Sequence, residues 1–236
     1  MLLERRPATQ AERPAPTPYI MQGMPASPSW PDRLIAALDE GLRAAAGPAA
    51  GAGRPSPGTE LPEPALSADE RRQSAALMRV NHAGEVAAQA LYNGQALLAR
   101  SERARQTLEA AAREERDHLA WCAGRIDELG GRVSLLTPFW YAGSFCLGVL
   151  AGTIGDAHNL GFVRETERQV ETHLRDHLER LPASDRKSAA ILERMAQDEA
   201  RHGAAAGNAG GAELPMPVRI GMSFGGEILR RVALFV

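Results

Sequence analysis

Two short stretches constrain the fold more than anything else in the chain: Glu115-Arg116-Asp117-His118 and its echo, Glu199-Ala200-Arg201-His202. Each is a Glu-x-x-His. On a helix, positions i and i+3 share a face, so each stretch aims a carboxylate and an imidazole at one point. One such pair arises by chance in many helices. Two of them match a bundle that holds two iron or manganese ions, which needs two Glu-x-x-His helices plus one inward Glu from each of two others. In an antiparallel hairpin, residues equally far from the turn sit at the same height. Glu85 and the first motif are centred near Ser101, in Ala99-Arg100-Ser101-Glu102, a short turn with Ser101 as N-cap. Glu167 and the second motif are centred near Ala183-Ser184, inside Leu181-Pro182-Ala183-Ser184-Asp185, a helix stop followed by N-cap residues. Height alone does not separate Glu167 from Glu171, because the turn centre is defined only to about two residues.

Composition supports a packed domain of ordinary size. The chain has 236 residues, of which 44% are apolar and 24% charged, enough to bury a core. A formal net charge of −2 offers no attraction to nucleic acid. The two cysteines, Cys122 and Cys146, form no Cys-x-x-Cys, which argues against a disulfide framework or zinc ribbon and for a reducing compartment. No Gly-x-Gly-x-x-Gly follows a strand pattern, so no dinucleotide domain is expected.

Along the chain, residues 1–29 are rich in Pro, Ala and Arg and lack the apolar run of a secretory signal. Glu4, Glu12 and the prolines argue against an organelle transit helix, so this stretch is expected to be a disordered extension. Residues 30–64 are expected to form a short helix, Trp30 to Ala46, and a Pro/Gly/Ala linker. In that helix Leu34, Ile35, Leu38 and Leu42 share a face. Residues 65–236 form the main domain. Ser67-Ala68-Asp69-Glu70 reads as a capping box that opens the helix carrying Glu85. Tyr92 lies on nearly the same face as Glu85 and is either a core aromatic or a neighbour of the site. A second helix runs from about Glu102 to Leu129 and stops at Gly130-Gly131.

Leu135 to Ile154 carries no charge and is long enough to span a bilayer, which takes about 20 apolar residues. Pro138, Ser144, Thr153 and three glycines interrupt it, and it runs closely into Glu165 and Glu167. We therefore expect one long helix, partly core and partly membrane-facing, rather than a span. Gly148 and Gly152 form a small-residue stripe that either admits another helix or leaves room for a flat ligand. Met216 to Val236 reads as an amphipathic basic helix that covers the bundle or lies on an anionic membrane surface. Glu114 and Asp198 each precede a ligand glutamate and flank its helix face. Asp198 is placed to reach the far nitrogen of His118, and Glu114 that of His202, or both are solvated charges.

Met78-Arg79-Val80-Asn81-His82-Ala83-Gly84-Glu85, Glu114-Glu115-Arg116-Asp117-His118-Leu119-Ala120-Trp121 and Asp198-Glu199-Ala200-Arg201-His202 together resemble the demethoxyubiquinone hydroxylase family in order, spacing and flanking residues. The resemblance covers about Trp30 to the C-terminus. It implies an all-α, ferritin-like four-helix bundle with an added membrane-associating helical part. It also implies six metal ligands and catalytic residues: Glu85, Glu115, His118, Glu167, Glu199 and His202. The family spacing selects Glu167 over Glu171 and matches His173 to a histidine of the site that is not a ligand. Leu174 stands where many eukaryotic members have Tyr, so no role of that hydroxyl carries over. His82 is not a ligand in the family pattern. The resemblance turns the Gly148/Gly152 stripe towards a quinone channel.

The implied chemistry is O₂-dependent hydroxylation of a demethoxylated polyprenyl quinol by two iron ions, with NADH or the quinol as electron source. Implied partners are the quinol, a membrane surface and other ubiquinone-biosynthesis proteins, with no nucleic acid. The implied location is peripheral, on the cytoplasmic face of the inner membrane. Four carboxylates and two imidazoles suit iron or manganese better than zinc, which favours tetrahedral and often thiolate sites. An iron-storage bundle would need hydrophilic outer faces, which the apolar run and basic tail contradict. A non-catalytic quinone- or lipid-binding protein would tolerate loss of ligands, and none is lost.

Overall fold

The computed structural model describes residues 29–46 and 51–236, and these residues form seven helices and no strand. The expected disordered extension, 1–29, lies outside them except for Ser29. The helices are α1 (Trp30–Ala46), α2 (Ala68–Leu98), α3 (Glu102–Glu128), α4 (Thr137–Thr153), α5 (Asp156–Arg180), α6 (Arg186–Asn208) and α7 (Met216–Phe235). Helices α2, α3, α5 and α6 make the bundle, as two hairpins.

Local chemistry sets the hairpin ends. Ser67 and Glu70 satisfy each other's backbone N–H groups in a capping box at the start of α2. Ser101 caps α3, and its N–H together with that of Arg100 donates to Asp156 in the first turn of α5. One carboxylate thus ties the α2–α3 turn to the second hairpin. Asp185 caps α6 by accepting from Ser188 N–H. Gly130, at φ +72°, ends α3 in the left-handed conformation that L side chains resist.

The core is two apolar layers with a polar layer between them. One layer joins Met78, Trp121, Cys122, Leu174, Leu192 and Met195. The other joins Leu91, Tyr92, Leu108, Leu160, Val163 and Ala206. In each of the four bundle helices the predicted metal-ligand residues fall between these two sets. The layers therefore close the bundle interior to water above and below the polar residues.

Three expectations change. The apolar run Leu135 to Ile154 forms a helix of its own and does not run on into Glu165 and Glu167: Gly155, at φ +103°, separates α4 from α5. The break lets α4 lie against α2 while α5 returns into the bundle. Second, the Gly148/Gly152 stripe is packing and not channel. A Cβ on Gly148 would stand 2.1 Å from the Leu91 carbonyl oxygen, and one on Gly152 would meet the Leu98 side chain at 2.9 Å. Gly94 answers from α2, where a Cβ would stand 2.3 Å from the Phe145 carbonyl oxygen. Third, α1 packs through Ala37 and Gly41, beneath the Tyr141 ring, and leaves Ile35 and Leu38 exposed. The Tyr141 hydroxyl donates to the Ala37 carbonyl, a contact that only a small-residue face permits.

Helix α7 buries only Ala233 and is held by Arg79, which donates to the carbonyls of Ala233 and Leu234. No helix among the described residues is long and apolar enough to cross a membrane. The backbone contact at Gly148 leads to a prediction. Gly148→Leu should destabilise the fold by about 1–3 kcal/mol, the usual penalty of overpacking. That corresponds to a melting temperature lower by roughly 3–10 °C in a chain of this size. An unchanged melting temperature would show that α4 does not need this close approach.

Candidate metal centre

Glu85 from α2, Glu115 and His118 from α3, Glu167 from α5, and Glu199 and His202 from α6 meet in the polar layer, all of them buried. Their ligand atoms fall into two groups, each lying within 4.8 Å: Glu85, Glu115, His118 and Glu199, and Glu115, Glu167, Glu199 and His202. Glu115 and Glu199 belong to both. His118 Nδ1 lies 3.0 Å from Glu115 Oε2, 3.2 Å from Glu199 Oε1 and 3.5 Å from Glu85 Oε2. His202 Nδ1 lies 3.3 Å from Glu199 Oε2, 3.5 Å from Glu115 Oε1 and 3.6 Å from Glu167 Oε1. The pattern is pseudo-symmetric, with one private and two shared carboxylates for each imidazole. The choice that helix height leaves open is decided by the side chains. Glu167 points inward, whereas Glu171 pairs with Arg175 on the outer face.

The donor set fits divalent cations. Four buried carboxylates face two imidazoles, and Glu85 Oε2, Glu115 Oε1, Glu199 Oε1 and both oxygens of Glu167 have no hydrogen-bond donor. An unpartnered buried carboxylate oxygen is costly. Side chains alone leave the cluster short of positive charge. Burial and the neighbouring Glu115 push the Glu85 carboxyl well above its ordinary range, and burial and Glu199 do the same to Glu167. Burial also acts upward on Glu115, but the adjacent His118 and His202 outweigh it and hold Glu115 low. Two divalent ions would neutralise the four carboxylates.

Around this cluster a second ring of charge faces the outer imidazole nitrogens. His118 Nε2 lies 3.1 Å from Asp198 Oδ2, a hydrogen bond. His202 Nε2 lies 3.4 Å from Glu114 Oε2, close enough for ion pairing but without hydrogen-bond geometry. Arg201 grips both Glu114 and Asp198. Tyr92 is fully buried in the apolar layer. Burial, and then the charge of Glu167 and its neighbours, raise its phenol well above the ordinary value. His82 is buried outside both ligand groups and held to about 4 by burial. His173 packs against His177 in a tilted pair, with ring centroids 4.0 Å apart, and is held to about 2 by burial and by His177. It lines a cavity that reaches Glu85. Gly148 and Gly152 line no part of that cavity.

The family model described as "Ubiquinone biosynthesis protein COQ7" matches residues 72–228. A 3-demethoxyubiquinol 3-hydroxylase of Nitrosomonas europaea is 57% identical over 205 residues, 87% of this chain and 98% of that one. The chain belongs to the COQ7 family of ubiquinone biosynthesis proteins. A relative of the same name from Cupriavidus metallidurans is 55% identical over 204 residues, 86% of this chain and 98% of its own. Another from Azoarcus sp. is 52% identical over 202 residues, 86% of this chain and 98% of its own. The helical bundle is thus a ferritin-like one, in a hydroxylase family, around a buried Glu/His cluster able to hold a metal ion.

Sequence reasoning passed over Arg54 and Asp117. Arg54 lies in the segment read as a linker, yet its guanidinium bridges Asp117 and Asp198 at 2.7 Å each. The signal available was Asp117 itself, a carboxylate inside the Glu-x-x-His motif that needs a partner when buried.

The charge argument makes a test. Metal at a hundred times its Kd stabilises a folded protein by about 2.7 kcal/mol. Fe(II) added anaerobically should raise the wild-type melting temperature accordingly. Glu167→Gln should raise the melting temperature of stripped protein and shrink the gain from Fe(II). If Fe(II) shifts wild type and variant equally, the cluster does not hold the ion.

Proposed function

We propose that this chain hydroxylates a demethoxylated polyprenyl quinol with O₂ in ubiquinone biosynthesis, the activity named for its relatives, using two iron ions held by Glu85, Glu115, His118, Glu167, Glu199 and His202. The observation that carries this reading is a cavity of about 600 Å³ between α4 and α7 whose wall includes Glu85. Its lining is largely apolar, with Val80, Leu91, Phe139, Trp140 and Leu147 among the wall residues. At Gly84, Gly143, Gly221 and Gly225, which also line it, an added Cβ would meet nothing within 4 Å. Bare backbone beside open space suits a flat ring and a long apolar tail.

Iron held by these residues would supply the redox and Lewis-acid chemistry that activates O₂. In the overall reaction a ring C–H becomes C–OH, and the second oxygen atom leaves as water. Two electrons come from NADH or from a quinol; a quinol also brings both protons, whereas with NADH the second proton comes from solvent. The chain's own residues orient and shield. The Asp198 carboxylate accepts from His118 Nε2–H and so keeps the Nδ1 lone pair directed inward. His173, neutral at the cavity wall, offers a polar contact to a ring hydroxyl without adding charge. The two apolar layers exclude bulk water from the reacting centre.

The cavity's two flanking helices carry several exposed apolar side chains. Phe139, Leu147 and Leu150 project from α4, and Ile220, Phe224 and Ile228 from α7. Such a patch marks a membrane or protein contact. Arg219, Arg230 and Arg231 on α7 add the basic character of a surface-lying helix. We place the protein peripherally on the cytoplasmic face of the inner membrane, where the tail can enter from the bilayer, alongside other ubiquinone-biosynthesis proteins.

Two measurements test this reading. Gly84→Leu fills the space beside Glu85 and should cut quinol turnover at least tenfold while leaving about two irons per chain, the content of a di-metal bundle. Wild-type turnover would rule the cavity out as the substrate site. Phe224→Asp combined with Ile228→Asp should abolish flotation with anionic liposomes; flotation equal to wild type would move the membrane contact elsewhere.

A further inference from the structure

We propose that Arg54 is a positioning residue of the metal centre, and that the segment carrying it is a strap that clamps the His118 half of the site more tightly than the His202 half. This rests on the metal reading above. The segment from Gly51 to Leu66 runs over the seam between α3 and α6, the two helices that carry the Glu-x-x-His motifs. At its far end Glu63 pairs with Arg125 of α3 and Lys187 of α6. At Gly58 a Cβ would stand 3.2 Å from the Lys187 carbonyl oxygen, so the strap lies directly on α6. At its near end Arg54 takes the same two helices. Its Nε lies 2.7 Å from Asp117 Oδ2, and its Nη1 lies 2.7 Å from Asp198 Oδ2. The N–H groups of Gly53 and Arg54 donate to Asp117 Oδ1. The guanidinium lies 4.8 Å from the Trp121 ring centroid, and the Trp121 indole N–H donates to the Arg54 carbonyl.

The decisive detail is that Asp198 Oδ2 serves two donors. It accepts from Arg54 Nη1 and from His118 Nε2. Fixing that oxygen fixes the proton on Nε2 and turns His118 Nδ1 inward. Trp121, held by the strap, also packs on the His118 ring, with centroids 5.3 Å apart. Arg194 and Arg201 approach Asp198 at Oδ1, at 3.3 Å and 2.5 Å. Among the described residues Arg54 is the one arginine paired with Asp117 and the one that donates a hydrogen bond to Asp198 Oδ2. A lysine ammonium cannot reproduce the fork that spans two carboxylates. The His202 half is held more loosely. Its Nε2 faces Glu114 Oε2 at 3.4 Å without a hydrogen bond, Arg54 Nη1 reaches that oxygen only at 3.5 Å, and Arg201 holds the half-exposed Glu114 from outside. The pseudo-symmetric ligand set therefore sits in an asymmetric frame, with the His118 position built more rigidly than the His202 position.

Anaerobic titration of the stripped full-length protein with Co(II), followed by its visible spectrum, tests this. The wild type should bind two equivalents in separable steps. Arg54→Gln should weaken one step by about 10- to 100-fold, the usual cost of losing support behind a ligand, and the other step by much less. Arg54→Lys, which keeps charge without the fork, should fall between. In an Asp198→Asn background, Arg54→Gln should add nothing to the loss, because both act through the same oxygen. If Arg54→Gln does not fold, Arg54→Lys and the same cycle built on it carry the test. Two wild-type steps in the arginine variants, or full additivity with Asp198→Asn, would overturn the proposal and leave Arg54 an anchor of the strap. A wild type that binds no Co(II) would instead sink the metal reading on which it rests.

Discussion

Four carboxylates buried around two imidazoles are the constraint that the rest of this structure serves. Charge of one sign packed inside a protein is tolerated only where something of the other sign compensates it. Here the compensation comes in shells. The histidines stand within hydrogen-bond or ion-pair distance of the carboxylates, the unpartnered oxygens face inward, and arginines hold the outer carboxylates. The apolar layers on either side keep out the water that would otherwise screen the cluster. Low dielectric makes each misplaced charge expensive, so the cluster demands rigid supports.

Those supports are unevenly distributed, and the unevenness organises function. On the α3–α6 side the strap from Gly51 to Leu66 closes the seam with Arg54 and Glu63. On the α2–α5 side the bundle carries instead a glycine-lined cavity between α4 and α7 that reaches Glu85. One flank is sealed by ion pairs, and the other is left soft and apolar. The proposed hydroxylation of a long-tailed quinol would use that division: a fixed frame for metal on one side, and an apolar entrance for substrate on the other.

Glycine has two opposite uses here, which explains why Gly148 and Gly152 line no part of the cavity. Gly94, Gly148 and Gly152 are small because another backbone or side chain occupies the space, so they bring α4 onto α2. Gly84, Gly143, Gly221 and Gly225 border open space. Along the chain the two kinds look alike. Only the neighbour across the gap distinguishes a packing glycine from a lining one, and that neighbour comes from a distant part of the sequence.

What the sequence determined by itself was everything that depends on short-range periodicity. Glu85, Glu115, His118, Glu199 and His202 were placed by helical spacing and by turn chemistry at Ser101 and Asp185, because i, i+3 geometry and capping are local. The amphipathic character of α7 was legible for the same reason. Tertiary structure alone decided three things. It set Glu167 in the polar layer and Glu171 against Arg175; the two stand about 6 Å apart along the axis and only about 40° apart in phase, so without the family resemblance only the fold separates them. It turned the chain at Gly155, just after the apolar run, where a positive φ redirects it. And it laid Arg54 on Asp117 and Asp198, contacts that span 63 and 144 residues. A Pro/Gly-rich stretch has no periodicity of its own, so its conformation is set by the charges it meets, and those charges are assembled only when α3 and α6 come together.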